Sequence, residues 1–414
     1  MTLETTFYGH SESVMSVALS QYNSNVVSGD DEGTIIVHSK AGKVEHQADS
    51  VFAGEVRSLC CFPNGSGLVA CGGDEDGGLG FLKVFSPSLE LIQTLEGHGG
   101  PVRCVTISPS GSQFASGGRD KKVMIWSEPG EGDEWARVQV LEDHTDGINA
   151  VCFSPDGKQL VTGSYDQSIN LYSFNEGNAI LAHTLEGHTD YVRSLSFSPD
   201  CKLLCSGSED KSIKFWNPAD GSLVKSIDKA HTSFGGVTSV SYSPNGRILV
   251  SAGYDKRMKI WDAETFELKH TFEQEFYTYQ LTITADSNFI VSGNSDHKVR
   301  FTPCREYQLT SLTPILNLIL HIVYKWEFVT FPNHTNTSTL EKVMNNFGEL
   351  VHNGGYNVAS EILSFLSPAH LPVQITPTRW TRDPEDLILR SRTKIENLQE
   401  EIARLRQRIV ELEE

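Results

Sequence analysis

The sequence predicts an all-β fold: a seven-bladed β-propeller closed by its N-terminal strand, followed by a helical C-terminal region that ends in a coiled coil. Three observations predict it. A unit of about 44 residues recurs along the first 300 residues, each unit alternates apolar and polar residues in four short runs, and isoleucine recurs every seven residues near the C-terminus. A repeat of 40–45 residues with four strands is typical of propeller blades.

Each unit begins with a histidine, continues as a V-x-x-V-x-F-S-P run, turns at a glycine and ends in an apolar run capped by an aromatic residue. The starting histidines are spaced by 46, 44 and 43 residues: His98, His144, His188 and His231. His10 lies two units before the first of these, so one unit between them and a last one have lost the histidine, which gives seven units. Residues 2–8 precede the first unit, and we expect them to supply the outer strand of the last blade, which would hide its edge.

Three units carry a complete polar set in which Asp lies four residues after Ser and Trp lies ten after it. The sets are His98, Ser116, Asp120 and Trp126; His188, Ser206, Asp210 and Trp216; and His231, Ser251, Asp255 and Trp261. Because buried polar groups need partners, we predict a hydrogen-bond chain from Asp through His to Ser and the indole. The sets resemble catalytic triads, but three copies in one register indicate a structural device.

Other units depart from this pattern. Unit four has Tyr172 in place of Trp, unit one has Glu32 in place of Asp and His38 in place of Trp, and unit seven has Thr302 in place of Trp. Unit two has lost both the His and the Ser. Units one, two and seven are neighbours in a closed ring, so we expect the loops of these three blades to be held less rigidly by hydrogen bonds.

The stretches 187–216 and 231–262 closely resemble the repeat of the WD-repeat β-propeller family, and the resemblance covers about 300 residues. It implies a propeller that serves as a scaffold or adaptor. The sequence contains neither a Gly-rich phosphate loop nor a nucleophile elbow. We therefore expect no enzymatic activity, no cofactor and no metal.

Charge and composition narrow the class of partner. The chain has 34 Lys and Arg against 53 Asp and Glu, a net charge of −19, which argues against binding to nucleic acid.

The apolar stretch 312–324 is too short to span a bilayer, so we expect no membrane span. The eight cysteines form no C-x-x-C pair and are interpreted as thiols in a reducing compartment. We expect a cytoplasmic location in association with the cytoskeleton, with the nucleus left open.

The candidate partner-binding residues are arginines and tyrosines predicted at the top mouth of the channel. The arginines follow the first valine of the inner strand in three units, and the tyrosines lie in the loops beside them: Arg57, Arg103, Arg193, Tyr165, Tyr191 and Tyr254. Arg and Tyr are common interface hot spots, so we predict a peptide-binding face with a local positive charge. The alternative is that these are solvated rim residues.

The region after residue 302 divides into an apolar connector (303–331), a helical hairpin with a Pro-containing linker (332–383) and a coiled coil (384–414). The heptad places Ile at a and Leu at d: Ile388, Ile395, Leu398, Ile402, Leu405, Ile409 and Leu412. This pattern favours a parallel two-stranded coil, hence a homodimer. The alternative is one amphipathic helix packed on its own protein.

A propeller followed by a coil is similar in layout to centrosomal and centriolar WD-repeat proteins. We therefore predict a non-catalytic interaction scaffold that works in microtubule or centrosome organisation. The alternative is a regulatory adaptor of another complex, in ubiquitin ligation, RNA processing or vesicle traffic.

Overall fold

The computed structural model describes residues 5–20, 25–73, 78, 80–128, 134–175 and 178–304. The connector beyond Cys304, the hairpin, the linker and the heptad residues from Ile388 to Leu412 lie outside the described residues, so the boundaries there stay predictions. Within the described ranges, 28 strands form seven separate four-stranded antiparallel sheets, and the predicted seven-bladed propeller is confirmed.

Each blade consists of consecutive strands from the channel outward. Blade one contains β2 (Val14–Leu19), β3 (Val26–Asp30), β4 (Ile35–His38) and β5 (Val44–Ala48). Blade two contains β6 (Val56–Cys61), β7 (Leu68–Gly72), β8 (Phe81–Phe85) and β9 (Leu91–Leu95). Blade three contains β10 (Val102–Ile107), β11 (Gln113–Gly118), β12 (Val123–Ser127) and β13 (Ala136–Leu141). Blade four contains β14 (Ile148–Phe153), β15 (Gln159–Ser164), β16 (Ile169–Asn175) and β17 (Asn178–Leu185).

The remaining blades follow the same order, except that the last one takes its outer strand from the start of the chain. Blade five contains β18 (Val192–Phe197), β19 (Leu204–Ser208), β20 (Ile213–Trp216) and β21 (Leu223–Ile227). Blade six contains β22 (Val237–Tyr242), β23 (Ile248–Gly253), β24 (Arg257–Asp262) and β25 (Leu268–Glu273). Blade seven contains β26 (Thr278–Ile283), β27 (Phe289–Asn294), β28 (Val299–Pro303) and β1 (Thr5–Phe7).

The N-terminal strand closes the ring, as predicted. β1 pairs antiparallel with β28, with Thr6 opposite Arg300. Phe7 is 2% exposed, and its ring lies 4.8 Å from that of Phe301. Closure pairs the edge of β28, which would otherwise present unpaired backbone groups.

The core lies between neighbouring blades rather than at one centre. Seven clusters of buried apolar side chains each join two adjacent blades, and one of them joins Val14 and Val26 of blade one to Val291 and Val299 of blade seven. The blades approach closely at a glycine in the second strand. A Cβ on Gly117 would lie 2.5 Å from Cγ2 of Ile148 in the next blade. A side chain there would force the blades apart.

The described cysteines are all free thiols, and three of them, Cys71, Cys104 and Cys205, are buried. Burial raises the pKa of the Cys104 thiol to about 12, so this group stays protonated and packs as a small apolar side chain. No helix long and apolar enough to cross a membrane occurs in the described ranges.

Candidate partner-binding face

The predicted polar sets form hydrogen-bond chains that tie the top of each blade together. In blade three, Nδ1 of His98 lies 3.0 Å from the Asp120 carboxylate, and its Nε2 lies 2.9 Å from Oγ of Ser116. Nε1–H of Trp126 donates to the same Oγ at 2.9 Å. Burial raises the pKa of Asp120, but the hydrogen bond and charge of His98, together with backbone N–H bonds from Gly99 and Lys122, outweigh burial, so the pKa is lowered and the carboxylate stays charged.

The same geometry recurs in blades five and six. His188 lies 2.7 Å from Asp210 and 2.7 Å from Ser206, whose Oγ accepts from Trp216 at 2.8 Å. In blade six, both bonds of the histidine are 2.8 Å: His231 to Asp255 and to Ser251, with Trp261 at 2.9 Å from that serine. The serines Ser116, Ser206 and Ser251 are fully buried. We call each such chain, in which one buried hydroxyl links the loop histidine to the second and third strands of its blade, a pin.

Blade four completes the chain with different residues. His144 bonds to Asp166 at 2.9 Å and to Thr162, in place of serine, at 2.8 Å. Tyr172 occupies the Trp position, and its hydroxyl donates to Asp143 at 3.1 Å. The threonine hydroxyl offers the same hydrogen-bonding capacity as serine, so the substitution preserves the pin.

Blade one corrects the sequence prediction. Glu32 does not take the place of the turn aspartate, because Asp30 bonds to His10 at 2.8 Å, while Nε2 of His10 lies 2.7 Å from Ser28. The equivalent of Asp30 in blade three is Gly118, where a Cβ would lie 2.7 Å from Nδ1 of the histidine. A carboxylate at this strand end therefore reaches the imidazole directly. The expectation that Glu32 takes the Asp position is therefore wrong, whereas His38, at the Trp position, has its Nε2 3.1 Å from the carbonyl oxygen of Tyr8.

Blade seven lacks the histidine, and an arginine on its third strand bonds to the turn aspartate. Asp296, at the turn position, accepts two hydrogen bonds from the Arg300 guanidinium, one of them at 2.7 Å. The guanidinium also lies 3.7 Å from the centre of the Phe276 ring. A bidentate Arg–carboxylate pair holds this turn where the imidazole is lost.

The top face is the end of the propeller where the inner strands begin, and a β-bulge shapes it in every blade. The register shifts at the second residue of each inner strand, between Val102 and Cys104 in blade three for example. The bulged positions are Met15, Arg57, Arg103, Asn149, Arg193, Thr238 and Tyr279. A bulge re-aims the extra residue, so these seven side chains mark the channel mouth. The three predicted arginines are among them.

The loops bring the predicted tyrosines beside these bulges. The amide N–H of the residue before each turn aspartate donates to the carbonyl of the residue that precedes the inner strand, as from Tyr165 to Gly147 and from Tyr254 to Gly236. Tyr191 accepts the corresponding bond from Glu209. The two loops of one blade are therefore held side by side on the top face.

Five of the six predicted residues form two contacting groups. In the first, the Arg103 guanidinium lies 5.3 Å above the Tyr165 ring, which meets Tyr191 edge-on at 4.4 Å. In the second, Arg193 lies 5.6 Å above Tyr254. We call these five residues the rim cluster. The structure places Arg57 in blade two, where it pairs with Glu55 at 2.6 Å.

Two features of the rim were not predicted. Arg193 pairs with Glu209, with Nε 2.6 Å from the carboxylate, and Arg57 pairs with Glu55, so the expected positive spot is reduced. The rim cluster is also extended by Tyr277, which lies 5.7 Å from Tyr254, and by Tyr279 at 6.5 Å. The rim is therefore chiefly aromatic, with guanidinium groups stacked on the rings.

The described ranges hold no group of His, Cys, Asp and Glu arranged to bind a metal. A groove lies at the opposite end of the propeller, between blades four and five. It encloses about 700 Å³, and Lys158, Lys202 and Leu203 are among its lining residues. It is distant from the rim cluster and offers a matched surface for control substitutions.

Comparison with known proteins agrees with this architecture. The family model described as IFT122 first beta-propeller matches residues 55–313, and the model of the WD domain, G-beta repeat, matches residues 1–39. The first of these covers more than half of the chain.

Curated relatives match over shorter stretches. The Periodic tryptophan protein 2 homolog of Schizosaccharomyces pombe is 38% identical over 74 residues, which are 17% of this chain and 8% of that protein. The p21-activated protein kinase-interacting protein 1-like of Danio rerio is 28% identical over 127 residues, 30% of this chain and 33% of that protein. The Intraflagellar transport protein 122 homolog of Danio rerio is 35% identical over 77 residues, 19% of this chain and 6% of that protein.

The chain thus spans a third or less of the length of these three relatives. The blade count, the recurring His–Asp pins and the match over 55–313 all agree with one assignment. The chain belongs to the IFT122 first beta-propeller family of WD-repeat propellers.

Proposed function

We propose that the chain is a non-catalytic scaffold that binds segments of partner proteins on its top face and dimerises through its C-terminal coil. WD-repeat propellers generally serve as interaction scaffolds, which supports the first part. The observation that carries it is the rim cluster, in which Arg103 and Arg193 are held on tyrosine rings at the channel mouth. Arginines stacked on aromatic rings lose little conformational freedom on binding, and Tyr and Arg dominate interface energetics.

The dimeric part of the proposal rests on the heptad pattern alone, since the coil lies outside the described residues. A dimer would present two top faces, so two weak contacts would combine by avidity. The layout supports a place in microtubule or centrosome organisation. The family match favours a second candidate, an adaptor subunit of a transport assembly, because the name of one relative is Intraflagellar transport protein 122 homolog.

The test is quantitative affinity capture with the full chain and two variants. The rim variant combines Arg103→Glu with Arg193→Gln, because a glutamate at 193 would face Glu209 and disturb the fold. The control variant combines Lys158→Glu with Lys202→Gln on the opposite face, which changes the charge by the same amount; both lysines are exposed.

Partners that bind the top face should be recovered at least 10-fold less with the rim variant and equally well with the control. Tubulin or centrosome proteins among them would favour the first candidate, and transport-assembly subunits the second. Equal recovery with the wild type and the rim variant would contradict the proposal.

A further inference from the structure

His38 occupies the Trp position of blade one, but its ring bonds to the N-terminal segment. Nε2 of His38 lies 3.1 Å from the carbonyl oxygen of Tyr8, the residue that follows β1. Because a carbonyl oxygen can only accept, Nε2 carries the hydrogen and is the donor. In blade three, by contrast, the indole of Trp126 donates within its own blade. His38 therefore holds the chain at the point where it leaves the closing strand.

The second ring nitrogen of His38 is buried without a partner. The side chain is 0% exposed, and within the described residues its Nδ1 has no hydrogen-bond partner. Val26 and Val44 lie opposite His38 on the two neighbouring strands. Protonation would place an N–H without an acceptor, and a positive charge, in a site closed to water, and both are costly. The closed site therefore accepts only the neutral imidazole.

The charged groups around His38 do not compensate for a proton on its ring. β1 carries no titratable side chain, and those of the loop after it, of β3, of β5 and of the turn between β4 and β5 are Tyr8, His10, Glu12, Asp30, Lys40, Lys43, Glu45 and His46. Asp30 is bonded to His10 at 2.8 Å, and Glu45 accepts from Nδ2 of Asn25 at 2.6 Å. The charge of His10 opposes a second charge on His38.

β1 is held by few contacts, so the loss of one of them matters. With three residues it is the shortest strand in the described ranges, and Phe7 is the one buried residue among the three. The rings of Phe7 and His38 lie 5.3 Å apart. Detachment of β1 would take both the Phe7 ring and the Tyr8 carbonyl away from His38 and admit water. The open state can therefore hold the proton that the closed state excludes.

We infer that β1 is an acid-released latch: protonation of His38 detaches the N-terminal strand from blade seven, while the other blades stay folded. The inference goes beyond the proposed function, because it concerns the closure of the ring and not the partner-binding face. Release of β1 leaves the backbone groups of β28 without their partner strand, and an open edge of this kind can pair with another extended segment. Mild acid thus converts a closed ring into one with an edge available for pairing.

Acid should favour the open state by a limited factor. Burial lowers the pKa of His38 below its ordinary value of 6.5; the bond to Tyr8 raises this pKa and the charge of His10 lowers it, and the net shift is downward. The closed state thus binds fewer protons, so the ratio of open to closed chain rises as the pH falls below about 6.5 and levels off below the closed-state pKa. Between pH 7.5 and pH 5.5 the ratio rises by up to about 10-fold.

Amide hydrogen exchange of the full chain, followed by mass spectrometry at pH 7.5 and pH 5.5, tests this inference. Protection factors, which correct for the intrinsic pH dependence of exchange, are compared for residues 5–9 and for β15 in blade four. We expect the protection of residues 5–9 to fall by about 4- to 10-fold between the two pH values. The protection of β15 should change by less than about twofold, because the remaining blades stay folded.

Three variants assign the effect to one ring. His38→Gln keeps an N–H donor for the Tyr8 carbonyl but does not titrate, so the fall in protection of residues 5–9 should shrink below about twofold. His38→Phe keeps an aromatic ring beside Phe7 and should lose the pH dependence as well, so a folding defect in one variant leaves the other as a test. His46→Gln is the matched control: His46 is exposed on β5 of the same blade, and this variant should behave as the wild type.

The latch is refuted if residues 5–9 of the wild type lose no more protection than β15. It is also refuted if His38→Gln and His38→Phe retain the fall seen in the wild type, because another group then carries the effect. Equal loss of protection in β1 and in β15 means that acid unfolds the whole propeller, which likewise contradicts a latch confined to β1.

Discussion

Removal of one buried hydroxyl should reveal how much a pin stabilises its blade. Oγ of Ser206 is fully buried and bonds to His188 and to the indole of Trp216, at 2.7 and 2.8 Å. Ser206→Ala leaves the indole N–H and the imidazole Nε2 without this partner in a site closed to water. Each buried unsatisfied group costs about 1–3 kcal/mol, so we expect the free energy of unfolding to fall by about 2–4 kcal/mol. For a propeller of this size that lowers the melting temperature by about 4–10 °C.

Differential scanning calorimetry of the full chain measures this loss. Ser222→Ala is the control, because the Ser222 hydroxyl bonds to Asp220 at 2.7 Å in an exposed turn of the same blade, where a loss below about 0.5 kcal/mol is expected. Ser206→Thr keeps a hydroxyl and follows the natural use of Thr162 in blade four, so it should recover most of the stability. If Ser206→Ala and the Ser222→Ala control have the same melting temperature, the pins do not stabilise the fold and the reasoning fails.

Three further expectations follow from the same structure. Phe7→Ala should lower the free energy of unfolding by about 3–5 kcal/mol, because it removes the buried side chain that closes the ring. Tyr8 is 66% exposed, so Tyr8→Ala should change the free energy of unfolding by less than about 0.5 kcal/mol. Equal urea midpoints for the two variants would contradict closure by β1. Burial raises the pKa of Asp210, but the hydrogen bond and charge of His188, together with the bonds from Ser212, outweigh burial, so folding lowers this pKa. The stabilisation by Asp210 is therefore complete above about pH 5 and declines as the pH falls further. The advantage of the wild type over Asp210→Asn in urea midpoint should be smaller at pH 3 than at pH 7, and a constant difference would refute this. Light scattering should give twice the chain mass for the full chain and one chain mass for residues 1–383, and equal masses per chain would reject the dimeric coil.

The sequence predicted the propeller because its units of about 44 residues repeat one order of side chains, and such a repeat is typical of propeller blades. The spacing of Ser, Asp and Trp recurs with the same offsets, and the structure forms the same hydrogen bonds at each recurrence. The outer strand of blade seven could be placed because residues 2–8 belong to no blade of their own, so they can pair with the open edge of the last blade. These predictions depend on periodicity, which can be read from the sequence alone.

What the sequence did not reveal depends on local geometry. Asp30 reaches His10 from a strand end, and a fixed offset from Ser28 pointed to Glu32 instead. The pairing of Arg193 with Glu209, 16 residues away, arises only when two loops of one blade meet on the top face. The two extra residues between His231 and Ser251 left a signal, an offset of 20 rather than 18, but the following unit lacks the histidine that would mark the length of this unit.

The most direct test of the central claim is an affinity measurement with the partner fragment that affinity capture identifies. Isothermal titration of this fragment into the full chain should give a Kd at least 10-fold weaker for the rim variant, Arg103→Glu with Arg193→Gln, than for the wild type. The control variant, Lys158→Glu with Lys202→Gln, should bind within twofold of the wild type. A Kd that is equal for the wild type and the rim variant, or weakened equally by both variants, would contradict recognition on the top face.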